Sequence, residues 1–552
     1  MPQQFRLLHM RRYLPLFLTQ FFGAFNDNLF KSGMLVLIAY GGLSYAGFND
    51  KALTNAAAGV FILPFFLFSA LAGQLAEKFD MALLARYVKG LEILIMSLAA
   101  YGFVSASAGV LMLCLFLMGT HSSIFGPLKY AILPQYLQAD ELVGGNGLIE
   151  MATFIAILLG QIAGAQLQDL FPQQPWVLAA SCLSVAACGA LSSLAMPRLP
   201  ALDARARIDA NILRSSWRLL RQSAREDELW HVLLTISWFW FFGAVYLTQW
   251  VVYARDVLGG QASLFTLLIA LFSIGIGFGA MLCESLSGRR VELALVPLAG
   301  IALTVFGIDL YGARPAHPAD HIAAWDFVRQ GHLRLLADVF FIGVSGGLFT
   351  VPLYAHLQQR SQPAFRARVI AANNILNALF MVVASVVSAL LLAQGLRVPQ
   401  LLLLIAVCHG LLLIALLFWQ PIYGQRLLLW WWGRAYRQAQ LVGGDLLPMD
   451  GDVLLLLESD VDPALLLLLL PRSAYLCGDL TSSLLPTAAW AWIRRQRQIR
   501  HAPKGATRSC CIAMADDPVC PGWLDAGGAS LLRLRVSRQT QGLCLQLAQA
   551  RP

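Results

Sequence analysis

Residues 21–33 read FFGAFNDNLFKSG inside an otherwise apolar run from Tyr13 to Tyr40, so that Asn26, Asp27 and Asn28 stand side by side with Lys31 one turn on. An acid near the middle of a membrane-length helix costs ~2.5–3.5 kcal/mol on insertion scales. Either Asp27 pairs with Lys31 at i, i+4 and faces a neighbouring helix, or it marks a pathway or coupling site. Three more polar groups interrupt apolar runs. THSSIFGPLKYAILP supplies His121, Ser122, Ser123 and Lys129 around Pro127. Lys129 can snorkel to a membrane face or hold an anionic headgroup as a point charge. GGNGLIEMATFIAILLGQ sets Asn146 and Glu150 at i, i+4 with Gln161 beyond, and VIAANNILNALF carries Asn373, Asn374 and Asn377, the last two sharing a face. Hydrogen bonding between helices accounts for these asparagines as readily as contact with a ligand.

The elements that must position these groups follow from composition. Of 552 residues 58% are hydrophobic and 13% charged, against roughly 25% charged in a soluble globular chain. Apolar stretches of about 20 residues, each enough to cross a bilayer, recur at 14–41, 53–76, 89–106, 108–133, 143–167, 175–196, 230–254, 262–283, 292–312, 333–355, 368–393 and 399–420. The start is basic and enters the first span with no small-residue cleavage site, which reads as a retained helix. The basic linker 197–229 divides the spans into halves, 1–196 and 230–420. Two six-span halves are the layout of major-facilitator transporters, whose halves are parallel repeats. The expected fold is an all-α, twelve-span membrane protein with a small α/β-like cytosolic tail.

The net charge of +9, from 40 Lys and Arg against 31 Asp and Glu, is spread over alternate loops. Arg6, Arg11 and Arg12 precede span one, and Lys78, Arg86 and Lys89 follow span two. Seven arginines fill the linker, and Arg289, Arg290, Arg360, Arg366 and Arg368 mark later loops. By the positive-inside rule these loops and both termini are cytoplasmic, and no nucleic-acid partner is implied. GQLAE (Gly73–Glu77) closes span two and is echoed by AMLCE (Ala280–Glu284) closing span eight. The first copy continues into Lys78 and Asp80, giving Gly73, Glu77, Lys78 and Asp80 as a candidate gating loop; the second has Ser287 in place of Asp80. Gly160 with Gly164, and Gly275, Gly277 and Gly279, permit close helix approach. Pro64, Pro127, Pro134 and Pro352 can kink their spans. Five of the ten cysteines lie in spans and five in the tail, with no CxxC pair, so neither a metal site nor a cofactor is expected.

After Gln420, residues 421–440 combine a Leu/Trp cluster with Arg426, Arg434 and Arg437, as in a helix lying at the membrane interface. Residues 441–552 read as a cytosolic module opening strand–helix–strand, the helix starting at Asp462-Pro463.

GAFNDNLFKSG, GPLKYAILPQYLQADELVGGNGLIEMATFIAILLGQ, SWFWFFGAVYLTQWVVYARDVLGG and RVIAANNILNALFMVV together resemble the bacterial lysophospholipid transporter family of the major facilitator superfamily. They are nearest the membrane half of its fusions with 2-acylglycerophosphoethanolamine acyltransferase and acyl-carrier-protein synthetase. The resemblance covers roughly residues 10–420. It implies an inner-membrane transporter that flips lysophospholipids, chiefly lysophosphatidylethanolamine, to the inner leaflet for reacylation, with membrane lipids and a separate acyltransferase as partners. Asp27, Lys129, Asn146 and Glu150 fall on matching motif positions, with Asn26, Asn28, Asn374 and Asn377 as accompanying amides. An ethanolamine headgroup offers an ammonium for Asp27 and a phosphate for Lys129. One departure stands out: span seven has no base where stand-alone members carry an arginine.

The tail resembles the opening of the acyltransferase domain, whose His-x4-Asp motif supplies a general base. Here Leu457 stands five residues before Asp462, and no histidine lies between His409 and His501. A catalytically dead tail on a non-enzymatic transporter is therefore expected. The rivals are a proton-coupled exporter of small amphiphiles using Asp27 or Glu150, a membrane acyltransferase, and a scaffold that recruits one.

Overall fold

The computed structural model describes residues 3–41, 50–206, 208–209, 211–317 and 321–432, and beyond them the backbone of seven strands in the tail. After a 3-10 turn at Gln3–His9 the helices are α1 (Leu14–Gly41), α2 (Asp50–Lys78), α3 (Met81–Val104), α4 (Ala108–Tyr136), α5 (Leu142–Leu170), α6 (Pro175–Leu194), α7 (Ile212–Ser223), α8 (Asp227–Val252), α9 (Ala262–Ser287), α10 (Leu295–Ala313), α11 (Ala324–Arg329), α12 (Leu333–Arg360), α13 (Arg366–Ala393), α14 (Val398–Trp419) and α15 (Ile422–Trp432). Among the described residues, eleven helices are long and apolar enough to cross a membrane. α1 is more polar because of Asn26–Asn28 and Lys31, but its 28 residues reach about 42 Å. With α1 the bundle matches the twelve expected spans.

α2 packs on α13 and α5 on α9; α4 packs on α13 and α5 on α12. Counting membrane helices and shifting by six exchanges the members of each pair, which is the signature of two parallel repeats about a pseudo-two-fold axis. Small residues set the closest approaches. Side chains at Gly160 and Gly164 would strike the backbone of α1 at Phe25 and Leu29, and at Gly275 and Gly279 that of α12 at Phe340 and Val344.

Two boundaries differ from the sequence reading. The third span begins at Met81 rather than 89, because Asp80 caps it by accepting from the Ala82 and Leu83 N–H groups at 2.8 and 3.1 Å. Lys89, read as a loop base, is therefore inside α3 and fully buried. The linker, read as a charged strap, holds a helix of its own, α7, with Asn211 as N-cap.

The chain divides into two compact units. The first comprises residues 1–291 with 299–413, and the second 292–298 with 414–552. In the second, Arg426 of α15 clamps Glu292, Nε donating to Oε1 at 2.9 Å and Nη2 to Oε2 at 2.5 Å. Among its described residues the strands are β1 (Gln440–Val442), β2 (Val453–Leu457), β3 (Tyr475–Cys477), β4 (Gln498–Ile499), β5 (Cys510–Met514), β6 (Ser530–Gln539) and β7 (Gly542–Gln549). They form one sheet in the order β1-β7-β6-β2-β5-β3-β4. All neighbours run parallel except the β6–β7 hairpin. The two strands expected around Asp462 are β2 and β3, with β5 inserted between them. The helix expected at Asp462-Pro463 lies outside the described residues, as do residues 433–439 of the expected interfacial segment.

Candidate functional site

The three residues of the NDN run point in three directions, as consecutive positions on a helix must. Asp27 turns to α4 and its Oδ2 accepts from Ser122 Oγ at 2.6 Å, while Oδ1 has no hydrogen-bond partner. Asn28 turns to α5: Nδ2 donates to Ala24 O at 2.8 Å and Oδ1 accepts from Gln161 Nε2 at 3.4 Å. Asn26 turns to α3 and is fully buried, donating to Glu92 Oε1 at 2.7 Å. Asn26 and Asn28 are thus occupied in packing α1, and Asp27 alone of the three is half-buried. The i, i+4 pairing with Lys31 does not form; the Lys31 ammonium lies over the Phe61 ring, 5.3 Å from its centroid.

Lys129 is half-buried as well. Its Nζ donates to Gln20 Oε1 at 3.4 Å and lies 4.8 Å from the Tyr130 ring centroid. Gln20 is seven residues before Asp27 on α1, and Lys129 seven residues after Ser122 on α4. On antiparallel helices this makes two rungs, Asp27–Ser122 and Gln20–Lys129, about 10 Å apart along the axes. An acid and a base therefore share one α1–α4 seam. Gln20 is held in place by donating to Ile149 O at 3.1 Å and Thr153 Oγ1 at 2.8 Å.

Behind that seam is a cluster absent from the sequence reading. Glu92 Oε2 is 2.7 Å from Lys89 Nζ and 3.3 Å from His121 Nε2, and all three side chains are buried. Lys89 also sits 4.8 Å from the Phe125 ring centroid. With Asn26 on the other carboxylate oxygen, Glu92 ties α1, α3 and α4 together, and the opposite charges of Lys89 and Glu92 compensate each other in a buried site. The sequence signal was present in Lys89 and Glu92 at i, i+3 within an apolar run, but the span boundary at 89 hid it.

The other predicted groups lie where the halves meet. Asn146 Nδ2 donates to Gln358 Oε1 at 2.7 Å and Gln358 Nε2 donates back to Asn146 Oδ1 at 3.1 Å, a reciprocal amide pair between α5 and α12. Gln358 Nε2 also donates to Tyr130 O at 3.0 Å. Tyr130 stacks on Tyr354 of α12 with centroids 4.5 Å apart and planes at 5°, and its hydroxyl donates to Glu150 Oε2 at 3.1 Å. Glu150 Oε1 has no hydrogen-bond partner. Asn374 and Asn377, expected to act from one face, are separated. Asn374 Nδ2 lies where a side chain at Gly126 of α4 would sit. Asn377 instead joins Asn373: turned to satisfy its neighbours, its amide accepts from Asn373 Nδ2 at 3.0 Å and Trp240 Nε1 at 3.1 Å, and donates to Ser237 Oγ at 2.9 Å.

Beneath this layer is the end of the bundle at which α1 begins, called the base below. Glu77 at the end of α2 pairs with Arg368 at the start of α13. A Cβ at Gly73 would lie 3.0 Å from Arg368 Cα and from Ala371 Cβ, so a residue without a side chain lets α2 and α13 meet. At the symmetric position Glu284 Oε2 accepts from Gln4 N at 3.0 Å, and Arg289 pairs with Asp140. Of the other gating candidates, Asp80 is used as the α3 cap and also accepts from Leu199 N at 3.3 Å. Lys78 makes no ion pair among the described residues. The inter-half contacts named here all lie toward the base, so the halves are clasped at that end. Among the described residues no cluster of His, Cys, Asp or Glu could hold a metal ion.

Comparison with known proteins bears on the fold and the family. The chain is 29% identical over 377 residues to the Lysophospholipid transporter LplT of Klebsiella pneumoniae, covering 67% of this chain and 85% of that one. It is 28% identical over 378 residues to the protein of the same name from Yersinia pestis, covering 64% and 80%. Among solved structures, the human organic anion transporter MFSD10 superposes with a TM-score of 0.58 at 15% identity, covering 73% of this chain and 99% of that one. The transporter FucP in its outward conformation gives 0.55 at 13% identity, covering 73% and 98%. These likenesses bear on the fold alone. The family model of the Major Facilitator Superfamily matches residues 16–385, and the protein belongs to that superfamily of membrane transporters.

Proposed function

We propose that the protein is a lysophospholipid transporter that carries lysophosphatidylethanolamine-type lipids from the outer to the inner leaflet of a bacterial inner membrane, with both termini in the cytoplasm. The observation that carries this reading is the pair of rungs on the α1–α4 seam. The half-buried carboxylate of Asp27, with one oxygen unpartnered, suits an ammonium, and the half-buried Lys129 suits a phosphate. The name shared by the relatives supports the substrate class. An exposed headgroup and a single acyl chain need a polar seam beside a greasy one, and Phe21 and Phe25, stacked on α1 with centroids 6.3 Å apart, offer the latter.

The mechanism follows from where the halves touch. With the base clasped by Glu77–Arg368, Asn146–Gln358 and Tyr130–Tyr354, the seam is reached from the opposite end. Headgroup binding between Asp27 and Lys129 changes the field at Tyr130, next to Lys129 on α4, and at Glu150 of α5, which accepts from the Tyr130 hydroxyl; Tyr130 in turn stacks on Tyr354 of α12. Release of that layer and of the clasp below it then opens the base. Asn146, Glu150, Asn374 and Asn377 act on this reading as closure residues more than as headgroup ligands. α8 carries no Lys or Arg, so the phosphate rests on Lys129 alone. Reacylation falls to a separate acyltransferase, the product's consumer.

The test is uptake of fluorescent lysophosphatidylethanolamine into proteoliposomes, scored by protection from albumin extraction, with and without a pH gradient. Protein-dependent, headgroup-selective protection without a gradient is expected. Export of amphiphiles only when a proton gradient is imposed would replace this reading with the proton-coupled exporter.

A further inference from the structure

The linker helix α7 has three faces, each drawn by the spacing of its residues. Ser215, Leu219 and Ser223, at i, i+4 and i+8, are buried, and α7 packs with this stripe against α2 and α13. Leu213, Trp217 and Leu220, at i, i+4 and i+7, form an apolar stripe; Leu213 is 77% exposed and Trp217 71%. Arg214, Arg218 and Arg221 repeat the same spacing one residue later, about 100° further round the helix. Arg218 reaches Asp209 at 3.4 Å; Arg214 and Arg221 make no ion pair among the described residues.

The segment before α7 fixes its place at the base. The Asp209 N–H donates to Gln74 Oε1 at 2.7 Å, the Asp203 N–H to Glu77 O at 3.0 Å and the Leu199 N–H to Asp80 Oδ1 at 3.3 Å. A small cavity of about 100 Å³ between α2, α7 and α13 is lined by Gln74, Ser215 and Arg368 among others. α7 is therefore docked where the spans end, at the level of the lipid headgroups. A helix in water gains nothing from holding a Leu and a Trp almost fully exposed beside a row of arginines. At a bilayer surface the same arrangement buries the apolar stripe among acyl chains, sets the indole at the headgroup level and brings the arginines to phosphates.

We propose that α7 is a membrane-surface docking helix whose occupant is an acidic leaflet, with Leu213 and Trp217 inserted and Arg214 and Arg221 engaging anionic headgroups. The choice of a lipid surface over a protein partner rests on charge complementarity and on the position of α7 against the ends of α2 and α13. Arginines close to an acidic surface enrich anionic lipid around them on the order of several-fold each. This docking does not depend on which substrate crosses the bundle.

The test uses the full-length protein in vesicles of mixed phosphatidylcholine and phosphatidylglycerol in which one or the other lipid is brominated. The Trp217 signal is the difference between wild type and Trp217→Phe, a change at an exposed position that keeps an apolar aromatic ring. Quenching of that signal is expected, about twofold or more stronger with brominated phosphatidylglycerol than with brominated phosphatidylcholine at equal mole fraction. The preference should disappear in Arg214→Gln/Arg221→Gln while quenching itself persists. An unquenched Trp217 would place the stripe in water or under a protein partner. Equal quenching by both lipids, unchanged by the arginine substitutions, would mean that no headgroup is read. Either result overturns the proposal.

Discussion

Removing the Arg368 guanidinium should unfasten the base of the bundle by an amount the structure fixes within limits. Glu77 is 9% and Arg368 27% exposed at the side chain, so the pair is neither a surface ion pair, worth about 0–1 kcal/mol, nor a buried one whose breakage costs roughly 3–5 kcal/mol. An intermediate loss of about 1–2 kcal/mol corresponds to a shift of roughly 5–30-fold in the equilibrium between base-closed and base-open states. Spin labels at Phe79→Cys and Ala364→Cys, in exposed loops on either side of the clasp and with native cysteines replaced, read that equilibrium as a distance distribution. The wild type should give one short population. Arg368→Ala should add a longer one, and the swap Glu77→Arg/Arg368→Glu should restore part of the short one. Arg334→Ala, which breaks the exposed Asp309 pair within one half, is the control and should leave the distribution alone. An unchanged distribution in Arg368→Ala, or an equal change in the control, refutes the assignment of Glu77–Arg368 as a clasp.

Glu92→Gln should lower thermal stability in detergent steeply, since it leaves Lys89 buried without its counter-ion at a cost of roughly 3–5 kcal/mol. Lys89→Met/Glu92→Leu should be milder than either single change. At the α5–α12 contact, Gln358→Leu should raise the base-open fraction, and Asn146→Leu added to it should cost less than the sum of the two, because both remove one amide pair; the same distance measurement reads this. Truncation after Arg437 should leave lysophospholipid uptake largely intact, since every residue of the seam and of the closure layer precedes it. Loss of uptake in a normally inserted truncated protein would make the tail part of the transport machinery.

The membrane fold was legible because an apolar run of bilayer length has few alternatives. α7 was hidden by the linker's charge: its row of arginines, Arg214, Arg218 and Arg221, read as a strap, although the i, i+4, i+7 spacing of Leu213, Trp217 and Leu220 was available. Asp27 and Lys129 stood out because single ionisable residues in apolar runs are costly. The amides were harder. Asn374 and Asn377 share a face on a wheel, yet it is Asn373 that shares a network with Asn377, because Tyr354 and Trp240 arrive from other helices. Gln358 and Tyr354 gave no local signal at all. Their partners in the other half, Asn146 and Tyr130, are over 200 residues away in sequence, and spacing along one helix cannot report a contact made across the pseudo-two-fold axis.

The central claim is that an acid and a base on the α1–α4 seam hold the two charges of one headgroup. The most direct measurement is uptake into proteoliposomes of two fluorescent lysolipids, one with an ethanolamine headgroup and one with a glycerol headgroup that lacks the ammonium, by wild type, Asp27→Asn and Lys129→Ala. Asp27→Asn removes charge with little change of volume and should abolish or strongly slow lysophosphatidylethanolamine uptake while sparing much of the glycerol lipid's. Lys129→Ala should impair both, since both carry the phosphate. Equal loss of both lipids in Asp27→Asn would assign Asp27 to structure or coupling, and wild-type rates in that variant would contradict the account outright.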